Sequence, residues 1–195
     1  VDVTFVAEKQ WTNPFADVAK DAWYYDAVKY VNENGLMAGT SANTFAPDLT
    51  TISGMIVTIL YRLAGSPDIK DQIWGYPYAD VDSTAYYGTA VYWARLSGIA
   101  AGYSSEQFGP NDNITREQLA AIFYRYAGYK GMEAVTLAEH LTGFADSDKI
   151  STYAISAMNW AVGEGLMQGS GNYLSPQGDA TRAQVAAILH RFLTK

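Results

Sequence analysis

The sequence predicts an all-α fold in which three helix-loop-helix repeats pack as a pseudo-threefold bundle. The same set of short motifs occurs three times in one order, about 65 residues apart. Each copy also holds two stretches whose apolar residues follow a helical period. Because one such helix pair cannot enclose its own apolar faces, the three copies must pack together, most simply about a pseudo-threefold axis.

Composition indicates a folded chain and excludes several function classes. The 195 residues, 49% of them hydrophobic and 14% aromatic, can bury a core, and no apolar run is long enough to span a membrane. The formal net charge of -7, without a Lys/Arg-rich run, argues against a nucleic-acid partner. The absence of cysteine removes disulfides and thiolate zinc sites. We therefore expect neither membrane insertion nor nucleic-acid binding.

Three motifs define each repeat. An aromatic-Ala-Asp triplet opens the repeats at 15–17, 78–80 and 144–146. A Gly-x-x-x-Gly motif follows at 35–39, 98–102 and 165–169, and an apolar residue and a proline come after it. These motifs place the repeats at residues 15–65, 78–128 and 144–195. Residues 1–14 are then an N-terminal tail, and residues 66–77 and 129–143 are connectors.

The first helix of each repeat is predicted from an apolar stripe that ends at a glycine. The stripe has the spacing i, i+4, i+7 and i+8, and its members are Trp23, Ala27, Tyr30 and Val31, then Tyr86, Ala90, Trp93 and Ala94, then Tyr153, Ala157, Trp160 and Ala161. A glycine that can adopt a positive φ ends each helix, at Gly35, Gly98 and Gly165. We expect the stripe to be buried, although Trp93, Trp160 and Tyr30 could instead stack on a sugar.

The second helix begins after the proline. In repeats 2 and 3 it opens with a Thr-x-x-Gln capping box, formed by Thr115 with Gln118 and by Thr181 with Gln184. Repeat 1 has Ile52-Ser53-Gly54 where the others have Thr-Arg and a further residue, so Thr51 or Ser53 could rescue the cap, and its loss would cost about 1 kcal/mol. Its helix should still form, because the apolar face is intact: Ile56, Ile59, Leu60 and Leu63.

The motifs "FADV", "GLMAG" and "ITREQLAAIFYRYAG" resemble those of the S-layer homology domain, a repeat that usually occurs in threes. The resemblance covers the chain from Phe15 onward. It implies a three-pronged helical pseudo-trimer within one monomer, located outside the cell at the bacterial cell wall. Such modules anchor exported proteins by binding a secondary cell-wall polysaccharide, often one that carries pyruvyl-ketal N-acetylmannosamine.

The Thr-Arg pair is the first candidate binding motif. The first turn of a helix presents free N–H groups, and an arginine there adds a planar fork suited to a carboxylate. The resemblance assigns this role to Arg116 and Arg182, beside Thr115 and Thr181. Alternatively, the arginines cover apolar surface or pair with Asp17 or Asp80. If they serve the ligand, replacing both with Ala should abolish glycan binding and leave the melting temperature nearly unchanged.

The glycine loops are the second candidate. The resemblance places ligand contacts in these loops, at Gly39, Thr40, Ser41, Gly102, Tyr103, Ser104, Gly169 and Ser170. Turn geometry alone also requires glycine and hydroxyl residues here, so both explanations stay open.

No motif predicts an enzyme, a cofactor or a metal ion. The sequence lacks His-Glu-x-x-His, Gly-x-Ser-x-Gly, phosphate-loop and EF-hand patterns. Its two histidines, His140 and His190, are expected to be structural, and its carboxylates cluster in turns where Asp is favoured.

Two functions of different classes remain. The first is a wall anchor that binds an acidic polysaccharide in grooves between repeats. The missing arginine in repeat 1 then predicts that at most two of the three grooves bind the acidic glycan, and that the groove at the start of repeat 1's second helix is empty or strongly weakened. The alternative is a protein-interaction or surface-layer self-assembly module that has lost glycan binding, for which the degenerate repeat 1 is the main evidence.

Overall fold

The described residues form six α-helices, two in each predicted repeat. The computed structural model describes residues 11–72, 78–132 and 139–195, so parts of the predicted tail and of both connectors lie outside the described residues. The helices are α1 (Tyr25–Glu33), α2 (Ser53–Leu63), α3 (Gly88–Leu96), α4 (Arg116–Tyr129), α5 (Ile155–Gly163) and α6 (Arg182–Leu193). Short 3-10 helices occupy Lys70–Gln72, Ser147–Lys149 and Thr152–Ala154. In the same ranges, β-structure is limited to isolated bridges, which confirms the all-α class.

The first helix of each repeat ends where the sequence predicts. Helices α1, α3 and α5 stop two residues before Gly35, Gly98 and Gly165, whose φ angles are 65°, 69° and 66°. A side chain would be strained at such angles, so glycine ends each helix. None of the helices in the described ranges has the length and apolarity needed to cross a membrane.

The second helices differ at their N-termini. Capping boxes begin α4 and α6 as predicted, because Thr115 and Thr181 accept from the N–H groups of Gln118 and Gln184. Helix α2 has no side-chain cap. The predicted rescue by Thr51 or Ser53 is wrong, since the Thr51 hydroxyl donates to Ala180 O at 2.7 Å.

The main helix contacts run between repeats rather than within them. Helix α3 packs on α2, α5 packs on α4, and α1 packs on α6, which closes the cycle. An aromatic ring marks each contact, where Trp93 meets Tyr61, Trp160 meets Tyr124, and Tyr30 stacks on His190. Trp93 and Trp160 are therefore core residues. Each first helix therefore covers the second helix of the preceding repeat rather than the second helix of its own repeat.

A ring of three backbone hydrogen bonds joins the repeats at their centre. Thr51, Ile114 and Ala180 hold the same position in the three repeats, four residues after the proline. The Thr51 N–H donates to Ala180 O, Ala180 N–H to Ile114 O, and Ile114 N–H to Thr51 O, over 2.8–2.9 Å. All three residues are buried. The cyclic order of these bonds agrees with the expected pseudo-threefold arrangement.

Candidate functional site

The start of each second helix is joined to the loop of the next repeat. We call these contacts the Ser53, Arg116 and Arg182 junctions, after the first residue of the helix. In each junction the first two N–H groups of the helix donate to loop carbonyls. The pairs are Ser53 with Asp112 O and Gly54 with Pro110 O, Arg116 with Gly178 O and Glu117 with Pro176 O, and Arg182 with Leu49 O and Ala183 with Pro47 O. These N–H groups are therefore not free, and the predicted anion site at the helix terminus cannot use them.

Arg116 is buried and bound to the loop of repeat 3. Its Nε donates to Leu174 O at 2.6 Å, and its Nη2 donates to Gln168 O at 2.9 Å. Burial lowers the pKa of the guanidinium, and the carboxylate of Asp146 opposes that shift. Asp146 itself accepts from the N–H groups of Leu174 and Ser175. Arg116 and Asp146 thus fix the same loop from two sides.

Arg182 makes the equivalent contacts with the loop of repeat 1. Its Nε donates to Phe45 O at 2.7 Å, and its Nη2 donates to Ala38 O at 2.6 Å. The third nitrogen, Nη1, lies 3.8 Å from the sulfur of Met55. The guanidinium also stands over the Phe45 ring, 4.6 Å from its centroid. All three guanidinium nitrogens of Arg182 therefore have protein partners.

Both arginines have a structural role, but they bind loop carbonyls rather than the carboxylates that the sequence offered as partners. Asp17 and Asp80 accept from loop amides, and neither forms an ion pair with an arginine in the described residues, although the Asp17 carboxylate opposes the lowering of the Arg182 pKa by burial. Removing an arginine would leave loop carbonyls unpaired, at a cost of about 1–3 kcal/mol for each buried group. The structure therefore favours a lowered melting temperature for the double Ala variant over the unchanged one that the sequence predicts.

A cavity of about 570 Å³ lies at the Arg116 junction, and we call it the Arg116 groove. Arg116 comes from repeat 2, whereas Gly169 and Ser170 come from the loop of repeat 3. Helix α6 contributes Arg191, and Trp23 comes from repeat 1. All three repeats therefore build this groove.

A second cavity, of about 600 Å³, lies at the Ser53 junction, and we call it the Ser53 groove. Repeat 1 contributes Ser53, and the loop of repeat 2 contributes Gly102 and Tyr103. Helix α4 adds Arg125, and Tyr153 comes from repeat 3. The two grooves thus use equivalent positions, with serine in place of the junction arginine.

Sequence reasoning missed two kinds of residue in these grooves. The first is an arginine that recurs late in the second helix, as Arg62, Arg125 and Arg191. The signal was present, because an arginine follows Tyr61, Tyr124 and His190 at the end of each apolar face. Arg191 donates to Leu166 O at 3.0 Å and to Gln168 Oε1 at 3.2 Å, which fixes it beside the loop.

The second kind is an exposed aromatic residue. Trp23, Tyr86 and Tyr153 were expected on the buried stripe, but their exposed fractions are 65%, 59% and 53%. Each lies two residues before the first residue of its α-helix, so the helical period does not extend to it. These rings are therefore available at the surface, and Trp23 and Tyr153 line the two grooves.

The predicted loop residues divide into two groups. Gly102, Tyr103, Gly169 and Ser170 line the grooves. Close packing also requires the glycines, since a Cβ on Gly39 or Gly169 would lie 2.6 Å from a ring carbon of Phe15 or Phe144. Several hydroxyls take part in local turns or caps, namely those of Thr40, Ser41, Ser104, Thr115 and Thr181.

Three equivalent units that share inter-repeat grooves define a repeat-built binding module. The S-layer homology domain model matches residues 14–51, 77–120 and 143–186, and the chain therefore belongs to the S-layer homology domain family. This confirms the three repeats predicted from the sequence. Domains of this family bind cell-wall polysaccharide, and the chain is an extracellular, cell-surface module that anchors to the wall.

Named relatives are much longer than this chain. An endoglucanase of Bacillus sp. (strain KSM-635) is 35% identical over 93% of this chain and 19% of its own length. The surface-layer 125 kDa protein of Lysinibacillus sphaericus is 28% identical over 79% of this chain and 12% of its own. The S-layer protein sap of Bacillus anthracis is 23% identical over 90% and 20%, respectively. The chain thus spans a fifth or less of each relative.

Proposed function

We propose that this chain is a non-catalytic wall anchor that binds an acidic, pyruvylated secondary cell-wall polysaccharide, with the Arg116 groove as its principal site. The observation that carries the proposal is that Arg116, Arg191 and the exposed indole of Trp23 line one cavity. A pyruvyl ketal presents a carboxylate on a sugar ring. Two guanidinium groups suit the carboxylate, and an exposed aromatic face suits the ring.

The charge of the Arg116 groove supports an acidic ligand. The chain as a whole is acidic, with a formal net charge of -7. The residues that line this cavity nevertheless include two arginines and no Asp or Glu. Gln168, Gln184 and Ser170 add neutral polar groups that can hydrogen bond to sugar hydroxyls. An anion is therefore favoured here over a neutral or cationic ligand.

The Arg182 junction is proposed as a weaker second site. Arg182 belongs to the same Thr-Arg motif, but the Met55 sulfur contacts its Nη1, the nitrogen that would otherwise be left for a ligand. Arg62 is exposed and lies near Tyr86, so a cation and an aromatic ring are also present. We expect a carboxylate to bind here less tightly than in the Arg116 groove.

Calorimetry with wall oligosaccharides tests the proposal. The pyruvylated fragment should bind, and the same fragment without its pyruvyl groups should lose most of its affinity for the Arg116 groove. Arg191→Gln should lower the affinity for the pyruvylated fragment about 10-fold or more, because a charge-assisted hydrogen bond contributes about 1.5–3 kcal/mol.

Arg125→Gln is the matched control, since it removes the equivalent arginine from the Ser53 groove. Equal losses in the two variants, or equal affinity of the two fragments for the Arg116 groove, would contradict the proposal. No binding of either fragment would favour the alternative interaction or self-assembly module.

A further inference from the structure

The Ser53 junction keeps its loop in place without an arginine. In the other junctions, the arginine Nη2 binds the carbonyl of Gln168 or Ala38. The equivalent carbonyl in repeat 2 belongs to Ala101, and it accepts from the Tyr78 hydroxyl at 2.7 Å. The counterparts of Tyr78 are Phe15 and Phe144, which have no hydroxyl. A phenol on repeat 2 therefore replaces one hydrogen bond of the guanidinium that repeat 1 lacks.

The charge of the Ser53 groove differs as well. Its cation is Arg125, but a carboxylate, Glu117, lies next to the groove on the same helix. Glu117 is buried and accepts from Ser151 N–H at 2.9 Å and from the Tyr153 hydroxyl at 3.1 Å. The position of Glu117 is taken by Ala183 beside the Arg116 groove. With one lining cation in place of two, the Ser53 groove is less suited to an anion than the Arg116 groove.

The surface of the Ser53 groove still suits a sugar. Tyr103 and Tyr153 line it with exposed fractions of 54% and 53%. Tyr103 packs closely on Gly109, where an added Cβ would meet its ring, so the ring has a fixed support. The Ser53 hydroxyl and the Gln118 amide add neutral polar groups. Aromatic faces with a few neutral donors and acceptors are a suitable environment for an uncharged pyranose.

We propose that the Ser53 groove binds an uncharged sugar residue of the wall polysaccharide, and that Tyr78 maintains this specificity by donating to the Ala101 carbonyl that an arginine would otherwise bind. The inference rests on the proposed function for the identity of the polymer. It assigns a different ligand to each groove, so the two proposals can fail separately.

An NMR titration distinguishes the grooves. The probes are the wall oligosaccharide without pyruvyl groups and the pyruvylated fragment, and the reporters are the amides of Gly102 and Gly169. We expect the uncharged probe to shift Gly102, and Tyr153→Ala to abolish that shift. Trp23→Ala, the equivalent change in the Arg116 groove, should leave it unchanged. An uncharged probe that shifts Gly169 alone, or neither amide, would overturn the proposal. A shift of the Gly169 amide on addition of the pyruvylated probe independently tests the proposed function.

The role of Tyr78 is tested by restoring the motif. Ser53→Arg combined with Tyr78→Phe should let the pyruvylated fragment shift Gly102, with at least a 10-fold gain in affinity at this groove. Ser53→Arg alone should gain much less, because the Tyr78 hydroxyl still occupies the Ala101 carbonyl. Equal gains in the single and double variants, or no gain in a folded double variant, would overturn this role. If the double variant does not fold, the Tyr153→Ala titration still decides the ligand of the groove.

Discussion

The Arg116 and Ser53 grooves are built alike but differ in charge. At both junctions the first two N–H groups of a helix bind loop carbonyls, and an exposed aromatic residue and a late-helix arginine line the cavity. The differences are Arg116 against Ser53 and Ala183 against Glu117. The backbone contacts are also present at the Ser53 junction, so the same architecture forms with a different residue at the arginine position. Charge can therefore change from one groove to another while the fold is kept.

The largest expected effect separates Arg116 from Ser53. Arg116→Ala should lower the free energy of unfolding by about 3 kcal/mol, because two charge-assisted bonds to loop carbonyls are lost. Ser53→Ala removes only a 3.4 Å contact with Asp112 O and should change stability by less than about 0.5 kcal/mol. Urea denaturation of both variants measures the difference. Equal stabilities would show that the arginine does not hold the junction.

The next effect concerns Gly54→Ala, for which sequence and structure predict opposite signs of the change in stability. Glycine in a first turn costs up to about 1 kcal/mol relative to Ala, so sequence alone predicts that Gly54→Ala stabilises α2. A Cβ at this position would lie 2.9 Å from Pro110 O and 3.0 Å from the Tyr87 ring. We therefore expect Gly54→Ala to destabilise the protein by about 1–3 kcal/mol.

Gly128→Ala is the control for Gly54, since it makes the same change in α4 where a Cβ would meet nothing within 4 Å. It should stabilise the protein by up to about 1 kcal/mol. Thermal unfolding of the two variants gives both signs, and a higher melting temperature for Gly54→Ala would contradict the close contact.

Local signals explain how much of the fold the sequence could predict. The presence of two helices in each repeat, the glycine ends and two capping boxes depend on residues close in sequence, and these were predicted. The pairing of α3 with α2 was not, because the apolar faces fit a hairpin within a repeat equally well. The predicted burial of Trp23 was wrong because the periodic pattern does not reveal that α1 begins only at Tyr25.

The site was harder to predict because its contacts are distant in sequence. Arg182 binds Phe45 O, 137 residues away, and Arg116 binds Leu174 O, 58 residues away. A Thr-Arg motif at a helix start indicates either anion binding or a structural contact, and only the position of the loop distinguishes them. The substitution of Tyr for Phe at position 78 carries no meaning until Ala101 O is seen beside its hydroxyl.

A smaller effect should follow the loss of the Tyr78 hydroxyl. Tyr78→Phe removes the bond to Ala101 O and should lower the free energy of unfolding by about 0.5–1.5 kcal/mol. The matched change is Phe15→Tyr, which adds a hydroxyl where Arg182 already binds the equivalent carbonyl of Ala38. It should gain no stability. Chemical denaturation tests the pair. If Tyr78→Phe leaves the stability unchanged, the Tyr78 hydroxyl does not compensate for the missing arginine.

The smallest expected effect is a pH dependence that belongs to the Ser53 groove. Burial, followed by the Glu117 carboxylate, raises the pKa of Tyr153 to about 12. A tyrosine in the unfolded chain titrates near pH 10. Between these values the folded state keeps a proton that the unfolded state has lost. The stability contributed by this group is therefore fully present below pH 10 and falls as the pH rises towards 12.

Tyr153→Phe isolates that contribution, because other tyrosines also titrate above pH 10. The difference in unfolding free energy between the wild type and Tyr153→Phe should be constant from pH 7 to about 9.5 and should then fall in favour of the variant. Tyr86 is the control, since its position beside Arg62 and Gly54 provides no carboxylate equivalent to Glu117. Tyr86→Phe should therefore give a weaker pH dependence. If this free-energy difference has the same pH dependence in both variants, Glu117 does not hold the Tyr153 proton. Glu117 would then no longer contribute to the charge difference between the grooves.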